Sequence, residues 1–287
     1  MIKPIINKLL TFMPDKLYIQ LRWKMKMNYP LNLDNPRTFN EKLQWMKLYN
    51  RNPEYTTFVD KYAVKQYVAD IIGEEHIIPT LGVWDKFADI DFGKLPNQFV
   101  LKCTHNSGGL VICKDKSHLN MKSAEQTISR SLASNYYYHS REWPYKNVPR
   151  RIIAEKYMED TKTGELRDYK FYCFDGVCKA MLIAQDRSAG TTKMNYYDSD
   201  FNKLDMQWGY PNSDTHHSIP ERFDEMKRFA SALSKGIPHV RVDFYEVDGR
   251  VYFGDMTFFD GSGMTPFHPA EWDSTFGSWI TLPEKRN

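Results

Sequence analysis

The sequence predicts an α+β fold whose antiparallel sheets carry the chemistry. Three observations lead there. From residue 76 onward the chain breaks into short apolar runs at 76–84, 98–103, 110–113, 151–158, 169–174, 177–185, 239–247 and 250–256. Runs of that length, rich in β-branched and aromatic residues and bounded by Gly, Pro, Asn or Asp, read as strands. Two pairs of runs are joined by Asp175-Gly176 and Asp248-Gly249, where glycine supplies the positive φ of a tight hairpin. Helical periodicity intervenes near 121–139 and 220–235. Hairpins mixed with helices indicate α+β and not a doubly wound parallel sheet.

The chain before residue 76 reads as helical. Ile2, Ile5, Ile6, Leu9, Leu10 and Met13 recur at helical spacing, Pro14 interrupts, and a second basic segment runs from Asp15 to Met27. Residues 1–51 hold ten Lys/Arg against three Asp/Glu, a net +7, and the remainder carries −4. A basic amphipathic helix suits an anionic membrane surface and equally a protein core with its lysines in water; both readings stand. The apolar residues are periodic and not continuous, so no signal peptide is expected. Pro30 to Pro36 is an irregular link. Thr38 and Glu41 form a capping box for a helix ending near Tyr49. Asn52-Pro53 opens another, expected to run to Ile72 and to stop at Gly73, its apolar stripe broken at Gln66.

Composition narrows the function. The net charge of +3 does not announce a nucleic-acid binder, and no stretch approaches the roughly 20 apolar residues of a membrane span. Four cysteines without a CxxC are too scattered for a disulfide scaffold or a zinc ribbon, which suits a cytoplasmic protein.

Chemistry is concentrated in three places. Lys102 interrupts the apolar run Gln98–Cys103 and leads into Thr104-His105-Asn106-Ser107-Gly108-Gly109. A small, Gly-rich tip offers backbone N–H groups to phosphate oxygens, and Lys102 can add a point charge. The order, lysine before glycines, is neither a P-loop nor the kinase arrangement. Next, Glu155-Lys156-Tyr157-Met158 ends a strand in a way that suits a nucleotide base and ribose. Finally, His239–Phe244 places Arg241 and Asp243 on one strand face, and Val251–Thr257 does the same for Asp255 and Thr257. Folding that hairpin apposes Asp243 and Asp255. Two apposed carboxylates need a cation, and hard oxygen ligands beside phosphates suit Mg²⁺. Arg241 can grip a carboxylate or acyl phosphate with two N–H bonds. Gly261-Ser262-Gly263 closes the segment with backbone donors expected to be free for substrate.

This order resembles the ATP-grasp superfamily. Phe39-Asn-Glu-Lys-Leu-Gln-Trp, Asp60-Lys61-Tyr62, the Lys102 segment with Ser107-Gly108-Gly109, Glu142-Trp143-Pro144-Tyr145-Lys146-Asn147 and Tyr210-Pro211-Asn212-Ser213-Asp214 resemble the TupA-like ATP-grasp family over roughly residues 30–280. The resemblance implies an ATP-grasp fold: a helical region at 1–90, a smaller lobe with the phosphate hairpin at 91–160, and a larger lobe with the Mg²⁺ and substrate site at 161–287, the two lobes clasping ATP. It implies a carboxylate–amine ligase working through an acyl phosphate, with an amino acid and a uronic acid of a capsular or cell-surface polysaccharide as substrates. Lys102, Ser107, Gly108 and Gly109 would hold phosphates, and Glu155, Lys156, Tyr157 and Met158 adenine and ribose. Asp243, Asp255 and Thr257 would hold Mg²⁺, and Arg241 would steady the acyl phosphate. Lys170 would be a further nucleotide contact and Arg187 a substrate contact, with Gly261, Ser262 and Gly263. Asp255-Met256-Thr257 departs from the Glu-x-Asn of many members: the acid is shorter and the hydroxyl a poorer ligand than an amide carbonyl. The basic N-terminal helix would bring the enzyme to membrane-associated polysaccharide machinery at the inner face of the membrane.

Two other readings remain open on sequence. Asp198-Ser199-Asp200 matches the DxD of glycosyltransferases that use Mn²⁺ and nucleotide sugars, within what otherwise reads as a polar turn. A non-catalytic ATP-binding partner of the same machinery is the other.

Overall fold

The computed structural model describes residues 12–162, 164, 166–185 and 192–285. The first predicted helix therefore lies outside the described residues up to Phe12, and so does Arg187. The basic segment Asp15–Met27 is helix α1. Helix α2, Phe39–Tyr49, starts on the expected capping box: Thr38 accepts from the Glu41 N–H, and the Glu41 carboxylate accepts from the Thr38 N–H.

The helix expected from Asn52 to Ile72 is two helices, α3 (Glu54–Val59) and α4 (Val64–Ile72). Asp60 causes the break. Its carboxylate accepts from the N–H groups of Tyr62 and Ala63, and it pairs with Arg151 at 2.7 Å. The Lys61 N–H donates to the Thr104 carbonyl. The chain turns aside to meet the sheet beside it.

The strands are β1 (Thr80–Trp84), β2 (Phe99–Cys103), β3 (Val111–Cys113), β4 (Ile152–Lys156), β5 (Asp168–Phe174), β6 (Val177–Gln185), β7 (Lys193–Asp198), β8 (Gln207–Trp208), β9 (Val240–Val247), β10 (Arg250–Thr257) and β11 (Phe267–His268). They form a four-stranded sheet in the order β1-β4-β2-β3, a five-stranded sheet in the order β10-β9-β5-β6-β7, and the pair β11-β8. Every pairing is antiparallel. Both predicted hairpin turns are present, with positive φ at Asp175, Gly176, Asp248 and Gly249. β1 falls within the first ninety residues yet belongs to the small sheet.

Helix α5 (Met121–Ala133) covers the small sheet with Ala124 and Ile128, on a core of Phe99, Leu101, Cys103 and Ile152. A four-residue turn of helix, α6 (Tyr137–Ser140), follows it. Helix α7 (Phe223–Leu233) buries Phe223, Met226, Ala230 and Leu233 on the large sheet; that spacing is one helical face. The N-terminal helices share this larger core through Phe39, Leu43, Tyr55, Phe58, Val64 and Val68. Helix α8 (Glu271–Trp279) seals it against α2. The Asn40 N–H donates to Asp273 at 2.9 Å, and Lys42 Nζ donates to the carbonyls of Gly277 and Ile280. Gly277 permits that approach, since a Cβ there would stand 2.3 Å from the Arg37 carbonyl oxygen. No described helix is long and apolar enough to cross a membrane.

Candidate active site

Alternation on β2 buries Phe99, Leu101 and Cys103 and sends Lys102 to the other face. There Lys102 Nζ meets Glu155 of β4 at 2.5 Å, and Lys65 of α4 meets the same carboxylate at 2.6 Å. Burial pushes the Glu155 carboxyl up, but the Lys102 and Lys65 ammoniums outweigh it and hold the group below the usual glutamate range. Lys156, Tyr157 and Met158 continue out of β4 into a cleft of about 340 Å³. Its opposite wall is the β9–β10 hairpin, with Val247, Arg250 and Tyr252.

The Gly-rich tip is fixed at one side and open at the other. Asn106 donates to the Ser131 carbonyl at 2.8 Å. Gly109 has φ +68°, and a Cβ there would stand 2.5 Å from the Ser131 side chain. Gly108, at φ +90°, faces open space, and Ser107 is exposed.

The large sheet holds the denser cluster. Asp243 lies opposite Asp255 on β10, next to a bulge at Gly254, and opposite Lys170 on β5. Lys170 Nζ is 2.5 Å from Asp243 and 3.3 Å from Asp168. Arg241 grips Asp243 with two N–H bonds of 2.7 and 2.8 Å. It also donates to the Thr257 hydroxyl at 3.2 Å and reaches Asp260 at 2.7 Å. Tyr172 donates to the other oxygen of Asp260. Desolvation alone would raise both carboxyls; Arg241 and Lys170 hold Asp243 low, and Arg241 and the Tyr172 hydroxyl hold Asp260 low. Lys170 is itself pushed down by burial. Lys61, delivered by the α3–α4 break, meets Asp255 at 2.6 Å.

The turn Asp260–Gly263 has left-handed backbone at Gly261, Ser262 and Gly263. Its donors are less free than the sequence suggested: the Ser262 N–H bonds the Phe259 carbonyl, and the Gly261 N–H bonds Asp260. Below it lies a buried charge pair. Glu142 accepts from the hydroxyls of Ser140 and Ser262, while Lys47 Nζ donates to the carbonyls of the same two residues. Burial pushes Lys47 down to about 8 and Glu142 up.

The fold thus gathers Lys170, Arg241, Asp243, Asp255 and Thr257 on the large sheet and joins Lys102 to Glu155 on the small one. Sequence reasoning passed over Lys61, Lys65, Asp260, Tyr172, Glu142 and Lys47. Asp60-Lys61-Tyr62 was a visible phrase, and the capping habit of Asp before a periodic run was the signal for the break. Among the described residues no three His, Cys, Asp or Glu side chains converge as a ready-made metal cage. Asp243 and Asp255 nevertheless fit Mg²⁺ in kind: they are apposed hard-oxygen donors, the first already matched by Arg241 and Lys170 and the second by Lys61. The Thr257 hydroxyl is committed to Arg241. The Asp198–Asp200 segment is a turn held by its own carboxylate, with Asp198 accepting from the N–H groups of Asp200 and Asn202.

No curated protein matches the chain. Among solved structures it is similar to the D-alanine–D-alanine ligase of Bacillus anthracis, at 16% identity and a TM-score of 0.43, over 70% of this chain and 57% of that one. The Helicobacter pylori D-alanine–D-alanine ligase gives 13% identity and 0.47, over 87% and 68%. The ATP-grasp ligase PsnB, solved with a minimal precursor, Mg and ADP, gives 12% and 0.41, over 84% and 66%. The chain thus spans little more than half the length of the first of these. The model of the TupA-like ATPgrasp family matches residues 41–281, from the capping box of α2 to the end of α8, and the chain belongs to that family.

Proposed function

We propose that the protein is an ATP-dependent carboxylate–amine ligase. The observation that carries the reading is Arg241, Asp243 and Asp255 on one face of a strand pair, in a fold whose small sheet presents Lys102 and an open Gly108. A substrate carboxylate attacks the γ-phosphate of ATP, the bond to the β-phosphate oxygen breaks, and an acyl phosphate and ADP form. An amine then displaces phosphate, losing a proton and closing an amide.

The two sheets are the lobes that clasp ATP. Lys156 to Met158 hold adenine in the cleft beside them. Lys102, with Ser107 to Gly109, holds the phosphates. Asp243 and Asp255 would hold Mg²⁺, which neutralises charge on the transferring phosphoryl group. Lys61 and Lys170 stand in for that charge until the nucleotide arrives. Arg241 steadies the acyl phosphate, and the work of the side chains is positioning and charge stabilisation. By family analogy the product is an amino acid amide on a uronic acid of a surface polysaccharide, made on the cytoplasmic side of the membrane.

The first test is thermal unfolding with Mg²⁺·ATP. A ligand at 100 times its Kd stabilises by about 2.7 kcal/mol. Wild type should show that shift, and Lys102→Ala and Asp255→Asn should lose most of it. A shift with Mn²⁺ and a nucleotide sugar, and none with ATP, would replace the ligase with a glycosyltransferase.

A further inference from the structure

Helix α1 carries four basic residues and one acid, and its residues fall into rows along the axis. Residues four apart share a face. Ile19 and Trp23 form the buried row. Leu17, Leu21 and Met25 form an apolar row that faces outward, 53%, 42% and 66% exposed. Beside it lies the row Tyr18, Arg22, Lys26, and all three line a cavity of about 230 Å³. The far wall of that cavity is the Gly261–Ser262 turn. Lys16 and Lys24 flank the apolar row on its other side. Arg22 and Lys26 make no ion pair among the described residues, whereas Asp15, the acid of the helix, is held by Arg51 at 2.7 Å.

An apolar row between two basic rows is the pattern of a helix lying in an anionic lipid surface. Two unpartnered cations at the mouth of a cavity are placed to receive an anion. The wall of that cavity begins one residue after Asp260, which holds Arg241. We propose that α1 seats the protein on anionic membrane through Leu17, Leu21 and Met25, and that the cavity beside this row takes the anionic headgroup of a membrane amphiphile between Arg22 and Lys26. That this amphiphile is the acceptor rests on the ligase reading; the lipid seat and the headgroup site do not.

The test is flotation of the full chain with vesicles of phosphatidylcholine alone, or mixed with phosphatidylglycerol. Wild type should float with the mixed vesicles only. Leu17→Gln/Leu21→Gln/Met25→Gln should lose at least tenfold in vesicle affinity. Lys16→Gln/Lys24→Gln should lose about fivefold per charge, the roughly 1 kcal/mol each basic residue gains near such a surface. Arg22→Gln/Lys26→Gln removes the same charge and should lose at least tenfold more than that pair, because it also empties the headgroup site. Equal losses in the two double variants would overturn the headgroup site, and no flotation of wild type would overturn the lipid seat. All these variants should keep the Mg²⁺·ATP shift. Failure of that shift in wild type would sink the ligase and leave the flotation result standing.

Discussion

Glu155 in the small sheet and Asp243 in the large one are built alike and partnered differently. Each is a buried carboxylate between two cations. Glu155 takes one from the neighbouring strand and one from helix α4. Asp243 takes both from its own sheet, and one of them, Arg241, is braced again by Asp260 and, through it, Tyr172. The Lys102 side chain is 20% exposed, that of Lys170 9%. An ammonium near water can leave its carboxylate for a phosphate at small cost. Arg241 cannot move without stranding the buried Asp243 and releasing Asp260 as well. Arg241 is therefore the fixed frame of the large sheet, and Lys102 of the small sheet is a charge free to exchange.

The sharpest way to break that contrast is Arg241→Met. It should cost about 3–5 kcal/mol in urea unfolding, the usual penalty for stranding one side of a buried ion pair; a loss under 1 kcal/mol would mean that Arg241 braces nothing. Asp60→Asn comes next. It weakens the tie to Arg151 that fastens the α3–α4 break to the small sheet, and should cost about 1.5–3 kcal/mol. Hydrogen exchange should show β2 and β4 losing protection before β5 and β9; uniform loss would deny that the small sheet leans on the helices. Lys102→Met should cost about 1–2 kcal/mol, because Lys65 still neutralises the buried Glu155, while abolishing the Mg²⁺·ATP shift.

The last contrast is a pH dependence centred on Lys47. Its folded pKa of about 8 lies below the roughly 10.4 of an unfolded lysine. Between pH 8 and 10 the unfolded chain holds a proton that the folded one has shed, so this group makes stability rise with pH. Above about pH 10 tyrosines such as Tyr172, held protonated by burial, reverse the sign. Buried thiols such as Cys173, held protonated by burial, oppose the Lys47 rise in its own window, so the measure is the difference. From pH 8 to about 10 the Tm of wild type should rise by a few degrees relative to that of Lys47→Met, and parallel profiles would place the source elsewhere.

The strands were legible wherever the apolar run was long enough to betray its period, and the turns wherever Asp-Gly fixed the backbone. β8 and β11 were not, because two residues carry no period. β7 was hidden by Asp198, whose turn chemistry masked the alternation before it. Of the site, the sequence showed which carboxylates and cations share a strand. It did not show who neutralises whom. Lys61 meets Asp255 from 194 positions away, and the break that swings it there is signalled by Asp60 alone, in a run that otherwise keeps helical period. Asp260 was overlooked because the glycines after it drew the eye as donors, while the fold uses the acid in front of them to brace Arg241.

The seal between α2 and α8 has a consequence in time. Asn40 waits 233 residues for Asp273. At roughly 5–20 residues per second of synthesis, the inner face of α2, with Phe39 at its centre, stays uncovered for on the order of ten to fifty seconds after it leaves the ribosome. Contacts of such long range also slow refolding of the finished chain. A chain terminated before residue 271 would lose the closing wall of the first helix to carry a capping box, so a short deletion at the end should undo the beginning.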